Sequence, residues 1–120
     1  MKKFTCVAMA MAVVLALTVT AQADSLGGRS VRTVVIPGNS TDTWTVTFVA
    51  GERASVAIVG DGDTDLDLYV FDEFGNRITW SDGPTDREAC TWVPRRTGPF
   101  KIKVVNRSRT IANRYAIAWN

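Results

Sequence analysis

Between Asp61 and Asp72 the chain reads Asp-Gly-Asp-Thr-Asp-Leu-Asp-Leu-Tyr-Val-Phe-Asp. Acids hold every second position from Asp61 to Asp67, and from there Leu66, Leu68 and Val70 alternate with Asp67, Tyr69 and Phe71. A period of two is the period of a strand, so one face is apolar and the other carries Asp65, Asp67, Tyr69 and Phe71. The segment is a carboxylate-rich turn that runs into a half-buried strand. That chemistry suits a hard cation or a polar partner better than it suits a catalytic centre.

The same short apolar alternation recurs along the chain, punctuated by Gly, Pro, Asn, Asp and Ser. Strands are predicted over 31–36, 43–49, 53–59, 65–71, 77–80, 88–93, 100–105 and 115–119. Thr, Val, Ile and aromatic residues dominate these runs, as a pleated, half-buried surface requires. Eight short strands with no amphipathic helix predict an all-β, antiparallel two-sheet β-sandwich of the jelly-roll kind. The expected core is Trp44, Val46, Phe48, Val56, Ile58, Leu66, Leu68, Val70, Phe100, Ile102, Val104, Tyr115 and Ile117.

The first residues read as an address. Lys2 and Lys3 precede an apolar run from Phe4 to Val19, and Ala21-Gln22-Ala23 is a small-x-small cleavage signal. The run is short for a membrane span, which needs about 20 residues. The expected organisation is a signal peptide over 1–23, a flexible segment over 24–30 and one domain over 31–120, in a secreted or periplasmic bacterial protein with no membrane attachment after cleavage. Cys90 is then the lone cysteine of the mature chain. Its alternation with Ala89 and Thr91 predicts a small buried hydrophobe rather than a reactive thiol.

Charge is balanced overall and segregated along the chain. Without the leader, 12 basic residues face 12 acidic ones. Nine acids and two arginines lie between Asp61 and Glu88; seven basic residues and no acid follow. A neutral exported chain without a groove-reading helix argues against nucleic acid as a partner. Enzymatic readings fare no better. There is no histidine, which removes the commonest general base and zinc ligand. No nucleophile elbow or phosphate loop is present, and Cys90 has no imidazole to activate it. The chain is read as a non-enzyme.

Two candidate sites remain. Asp61, Asp63, Asp65 and Asp67 can converge from a turn, with Asp82 reaching in from the next loop and Asp86 and Glu88 beside it, to give calcium (Ca2+) the oxygen ligands it needs. An EF-hand loop is excluded, because Leu66 stands where that loop needs glycine. The competing reading is that these acids cap turns through backbone amides and pair with Arg77 or Arg87. The second site is aromatic: Tyr69 and Phe71 share a strand face, Trp80 and Trp92 are expected nearby, and such rings stack on sugars or anchor peptides. The competing reading there is that the second sheet covers this face.

Taken together, Asp63-Thr64-Asp65-Leu66-Asp67-Leu68-Tyr69-Val70, Gly75-Asn76, Ser81-Asp82, Trp92-Val93-Pro94, Thr97-Gly98-Pro99-Phe100, Val104-Val105-Asn106 and Asn113-Arg114-Tyr115 resemble the bacterial pre-peptidase C-terminal domain. The resemblance implies a jelly-roll-like sandwich. Domains of that family usually follow the catalytic part of secreted proteases and are thought to assist export, folding or substrate attachment. Relatives in collagen-degrading enzymes bind collagen and calcium. The expectation for this chain is a free-standing exported module behind a signal peptide, attaching to an extracellular protein or polysaccharide. The alternative is a chaperone-like or inhibitory partner of a separately encoded secreted protease.

Overall fold

Eight of the strands in the structure, a computed structural model describing residues 18–21 and 29–120, build two four-stranded antiparallel sheets. Most of the expected signal peptide and flexible segment lies outside the described residues. In chain order the strands are β1 (Thr18–Ala21), β2 (Ser30–Ile36), β3 (Thr41–Phe48), β4 (Ala54–Val59), β5 (Leu66–Phe71), β6 (Arg77–Ser81), β7 (Arg87–Trp92), β8 (Gly98–Asn106) and β9 (Asn113–Trp119). One sheet has the order β3-β8-β5-β6 and the other β2-β9-β4-β7. The backbone of β1 pairs in parallel with the edge of β3, Thr18 opposite Thr43 through Ala21 opposite Val46. From β2 onward, every step between consecutive strands crosses from one sheet to the other except the β5–β6 hairpin. That is the jelly-roll arrangement, which closes two sheets over one core.

The core follows from alternation. Trp44, Val46 and Phe48 from β3, Leu66, Leu68 and Val70 from β5, and Phe100, Ile102 and Val104 from β8 are buried against Val56, Ile58, Tyr115 and Ile117 of the opposite sheet. Val34, Ile36, Ala54, Cys90, Trp92 and Trp119 join them. Phe48, Trp92 and Phe100 meet edge-on or tilted, with centroids 5.0–5.9 Å apart, the favoured geometry for aromatic clusters. Cys90 is buried, as its place in the strand predicts.

Two hydrogen-bonded polar groups sit inside the sandwich, around Tyr115 and Asn106. The Trp44 indole donates to the Tyr115 hydroxyl at 2.9 Å, and that hydroxyl donates to Asp42 Oδ2 at 2.7 Å. Burial pushes the Asp42 carboxyl up to about 6, against the opposing pull of the Tyr115 hydrogen bond. Asn106 donates to the carbonyls of Ile36, Pro37 and Ile111 and ties the β2–β3 turn to the β8–β9 loop. The β5–β6 turn is closed by Asp72, whose carboxylate accepts from the backbone N–H of Phe74 and Asn76, with Gly75 at φ +86°. Only glycine adopts that backbone conformation without strain.

Two outcomes test this packing. Leu68→Ala removes a wholly buried side chain from the central strand and is expected to cost about 2–5 kcal/mol in denaturant melts; a loss near zero contradicts the register. Asp42 has its carboxyl raised in the folded state, so its contribution is full below about pH 4 and is lost as pH rises through about 6. Compared with Asp42→Asn, the wild type should lose about 3 kcal/mol between pH 4 and 7, measured by melts across that range.

Candidate functional site: an acidic rim and an aromatic face

Strand β5 presents its polar face to the outside of its sheet, and its N-terminal end to a loop crossing. β6 pairs with β5 only from Leu68–Ser81 onward. Beyond that point the chain turns through 82–86, where Thr85 carbonyl accepts from Leu66 N–H, and enters β7 with Glu88. One oxygen each of Asp65, Asp67 and Glu88 thereby lies within 4.8 Å of the others. Asp67 and Glu88 are 4% and 7% exposed. Asp65 Oδ1, Asp67 Oδ1 and Glu88 Oε2 are buried and accept no hydrogen bond. Two of the other oxygens are held: Asp67 Oδ2 by Arg107 Nε at 2.5 Å, and Glu88 Oε1 by the Ser81 hydroxyl. Burial, then the Asp67 and Glu88 charges, raise the Asp65 carboxyl above its ordinary range, with Arg107 opposing.

Three carboxylates and one guanidinium leave this cluster with excess negative charge. Like charges so close repel one another, and a cation among them would relieve that repulsion. Converging, unpartnered, hard oxygen donors fit a cation such as calcium, with water and neighbouring oxygens completing its coordination.

The other acids named from the sequence lie elsewhere. Asp61 accepts from the backbone N–H of Arg114 at 2.9 Å and of Asp63 at 3.0 Å, and these bonds hold its carboxyl below the usual range. Asp63 and Asp82 are exposed and stand outside the cluster. Asp86 is buried, but it organises the preceding loop. Its Oδ2 accepts from Gly62 N–H at 2.6 Å and from Asn113 Nδ2 at 3.0 Å. A Cβ on Gly60 would lie 2.2 Å from that same oxygen. Turn capping therefore claims Asp61, Asp72 and Asp86, while Asp65, Asp67 and Glu88 are left over. Arg107, not Arg77 or Arg87, is the cationic partner of Asp67.

Tyr69, Phe71 and Trp80 do share an outer face, and the second sheet packs on the opposite side, against Leu66, Leu68 and Val70. Trp80 is 48% exposed. Arg77 stacks over Trp80 at 4.1 Å and reaches the Tyr69 ring at 6.0 Å; Lys103 lies 5.1 Å from the Phe71 centroid. The Arg107 guanidinium donates to the Tyr69 hydroxyl at 3.0 Å and so joins this face to the acidic rim. Trp92 is the correction. It faces inward from β7, packs on Phe48 and Phe100, and only lines the floor of an apolar hollow with Phe74, Ile78 and Val93.

Arg107→Ala tests the rim directly. It leaves Asp67 buried without its ion pair, so a loss of about 1–3 kcal/mol is expected in chemical melts at neutral pH. A neutral result contradicts the electrostatic account of the cluster.

The architecture is shared with solved proteins. The pre-peptidase C-terminal domain of a collagenase from Bacillus anthracis superposes with a TM-score of 0.66 at 9% identity, over 77% of this chain and 89% of that one. PliG from Aeromonas hydrophila, a periplasmic lysozyme inhibitor of g-type lysozyme, superposes with a TM-score of 0.64 at 18% identity, over 86% and 96%. PliG from Salmonella Typhimurium, described likewise, gives 0.57 at 17%, over 86% and 96%. Neither a protein-family model nor a curated protein matches the chain. The fold is that of the pre-peptidase C-terminal domain, as the sequence motifs imply, and of the PliG inhibitors.

Proposed function

We propose that this chain is a secreted or periplasmic, non-catalytic binding module whose acidic rim is braced by calcium. The observation that supports the reading most is the convergence of Asp65, Asp67 and Glu88 with one unpartnered buried oxygen apiece. Retaining such a cluster in a small domain costs stability unless something neutralises it. The ion would tie the start of β5 to the start of β7 and so fix the adjoining outer face. The leader motif and the periplasmic setting of the PliG proteins support export. The sequence has no histidine to serve as general base, which supports a role without catalysis.

A second reading is an inhibitory partner of a separately encoded secreted enzyme. The likeness to two lysozyme inhibitors favours it; a protease was the enzyme class expected from the sequence. Capture from culture supernatant separates the two: retention on a polymer or matrix protein supports attachment, and recovery of a hydrolase supports inhibition.

Thermal melts test the cation. With millimolar calcium the midpoint should rise by several degrees and return with chelator. Asp65→Asn should abolish the rise and, without metal, should be no less stable than the wild type, because it removes one of three like charges. A wild-type midpoint indifferent to calcium contradicts the metal-braced reading.

A further inference from the structure

The outer face of the β3-β8-β5-β6 sheet carries two cross-strand rows. Strand register places Trp80, Tyr69, Lys103 and Thr43 side by side in one row, and Arg77, Phe71, Lys101 and Thr45 in the next. Each row crosses four strands at about 4.8 Å spacing, so it is about 14 Å long. Tyr69, Phe71, Thr43, Thr45 and Lys103 are half-buried, whereas Arg77, Trp80 and Lys101 are exposed. Among the described residues Arg77, Lys101 and Lys103 pair with no carboxylate. Two of these cations lie against rings instead. Of the nearby carboxylates, Asp67 is held by Arg107, Asp72 by the hairpin turn and Glu73 by Arg96, while Asp65 and Asp82 belong to the acidic rim beyond the N-terminal end of β5. The two rows therefore carry cations and no carboxylate, set among flat rings and hydroxyls, with the acidic rim at one end of the face.

We infer that this face binds an acidic polysaccharide. The inference rests on the reading of the chain as a binding module but not on the cation at the rim. Each element answers a feature of such a ligand. Ring faces of Trp80, Tyr69 and Phe71 stack on the apolar faces of sugar rings. Arg77, Lys101 and Lys103 neutralise carboxylate or sulfate groups carried in repeat along the polymer. Thr43 and Thr45 offer hydroxyls that both donate and accept, as sugar hydroxyls demand. An acidic peptide fits less well. Peptides dock as added strands at sheet edges or as helices in grooves, and this face is the middle of a sheet with its backbone already paired.

Affinity electrophoresis of the full chain tests this, with polygalacturonate, dextran sulfate, neutral dextran, polyglutamate or single-stranded DNA in the gel. Retardation is expected with polygalacturonate, dextran sulfate or both, weakening as salt rises. The pair Lys101→Glu with Lys103→Glu, and separately Trp80→Ala, should weaken it at least tenfold while leaving the thermal midpoint near the wild-type value. Asp65→Asn should leave it within twofold. Retardation only by sulfated polymer assigns sulfate as the anion; only by polygalacturonate, carboxylate. Equal retardation by neutral dextran, by polyglutamate or by single-stranded DNA overturns the inference, as does none by either acidic polysaccharide. If the face variants still capture the same supernatant partner as the wild type, the module reading stands and this inference falls.

Discussion

Burial of Leu66, Leu68 and Val70 between the two sheets determines everything on the other side of β5. Each is wholly buried, and each large apolar side chain contributes about 1.5–3 kcal/mol when removed from water. A one-residue slip would turn all three outward and bring Asp67 and Tyr69 into the core. The register is therefore held against strong opposition, and the outward residues are held with it. Because β5 lies between β6 and β8, the outer face inherits its order from both neighbours. The aromatic rows and the acidic rim are two ends of one polar strand face, joined through Arg107, which touches both Asp67 and Tyr69.

The rim is where the structure departs from what stability alone would choose. Several acids of the Asp61–Glu88 block are satisfied by backbone or side-chain donors. Asp61 and Asp72 accept backbone amides, which favours their ionised forms. Asp65, Asp67 and Glu88 are drawn together from two different sheets and left with unanswered oxygens. Arg107 offsets one charge. The remainder calls for a proton, consistent with the raised Asp65 carboxyl, or for a divalent ion.

Alternation made the strands and most of the core readable in advance, because a period of two leaves few choices in a run such as Asp65–Phe71. All thirteen side chains expected in the core are buried. The interior of β7 was also within reach. A buried Cys90 puts Glu88 and Trp92 on the same face by parity, so Trp92 belonged to the core rather than to the ligand-binding set. The rim was less legible. Asp61, Asp63 and Asp82 carry the right chemistry at plausible spacing, but local backbone amides compete for such acids, and nothing in a linear pattern says which prevail. Arg107 lies 40 positions from Asp67; pairing of that range is set by the β5–β8 register, which emerges only from the topology.

The central claim concerns three carboxylates and one ion. A crystal structure of the full chain grown with calcium at neutral pH, with anomalous differences measured, tests it most directly. The account predicts an anomalous peak bonded to Asp65, Asp67 and Glu88 together. A cluster holding no peak, with its oxygens bridged by protons or water alone, or a peak at Asp61 and Asp63 instead, would contradict it.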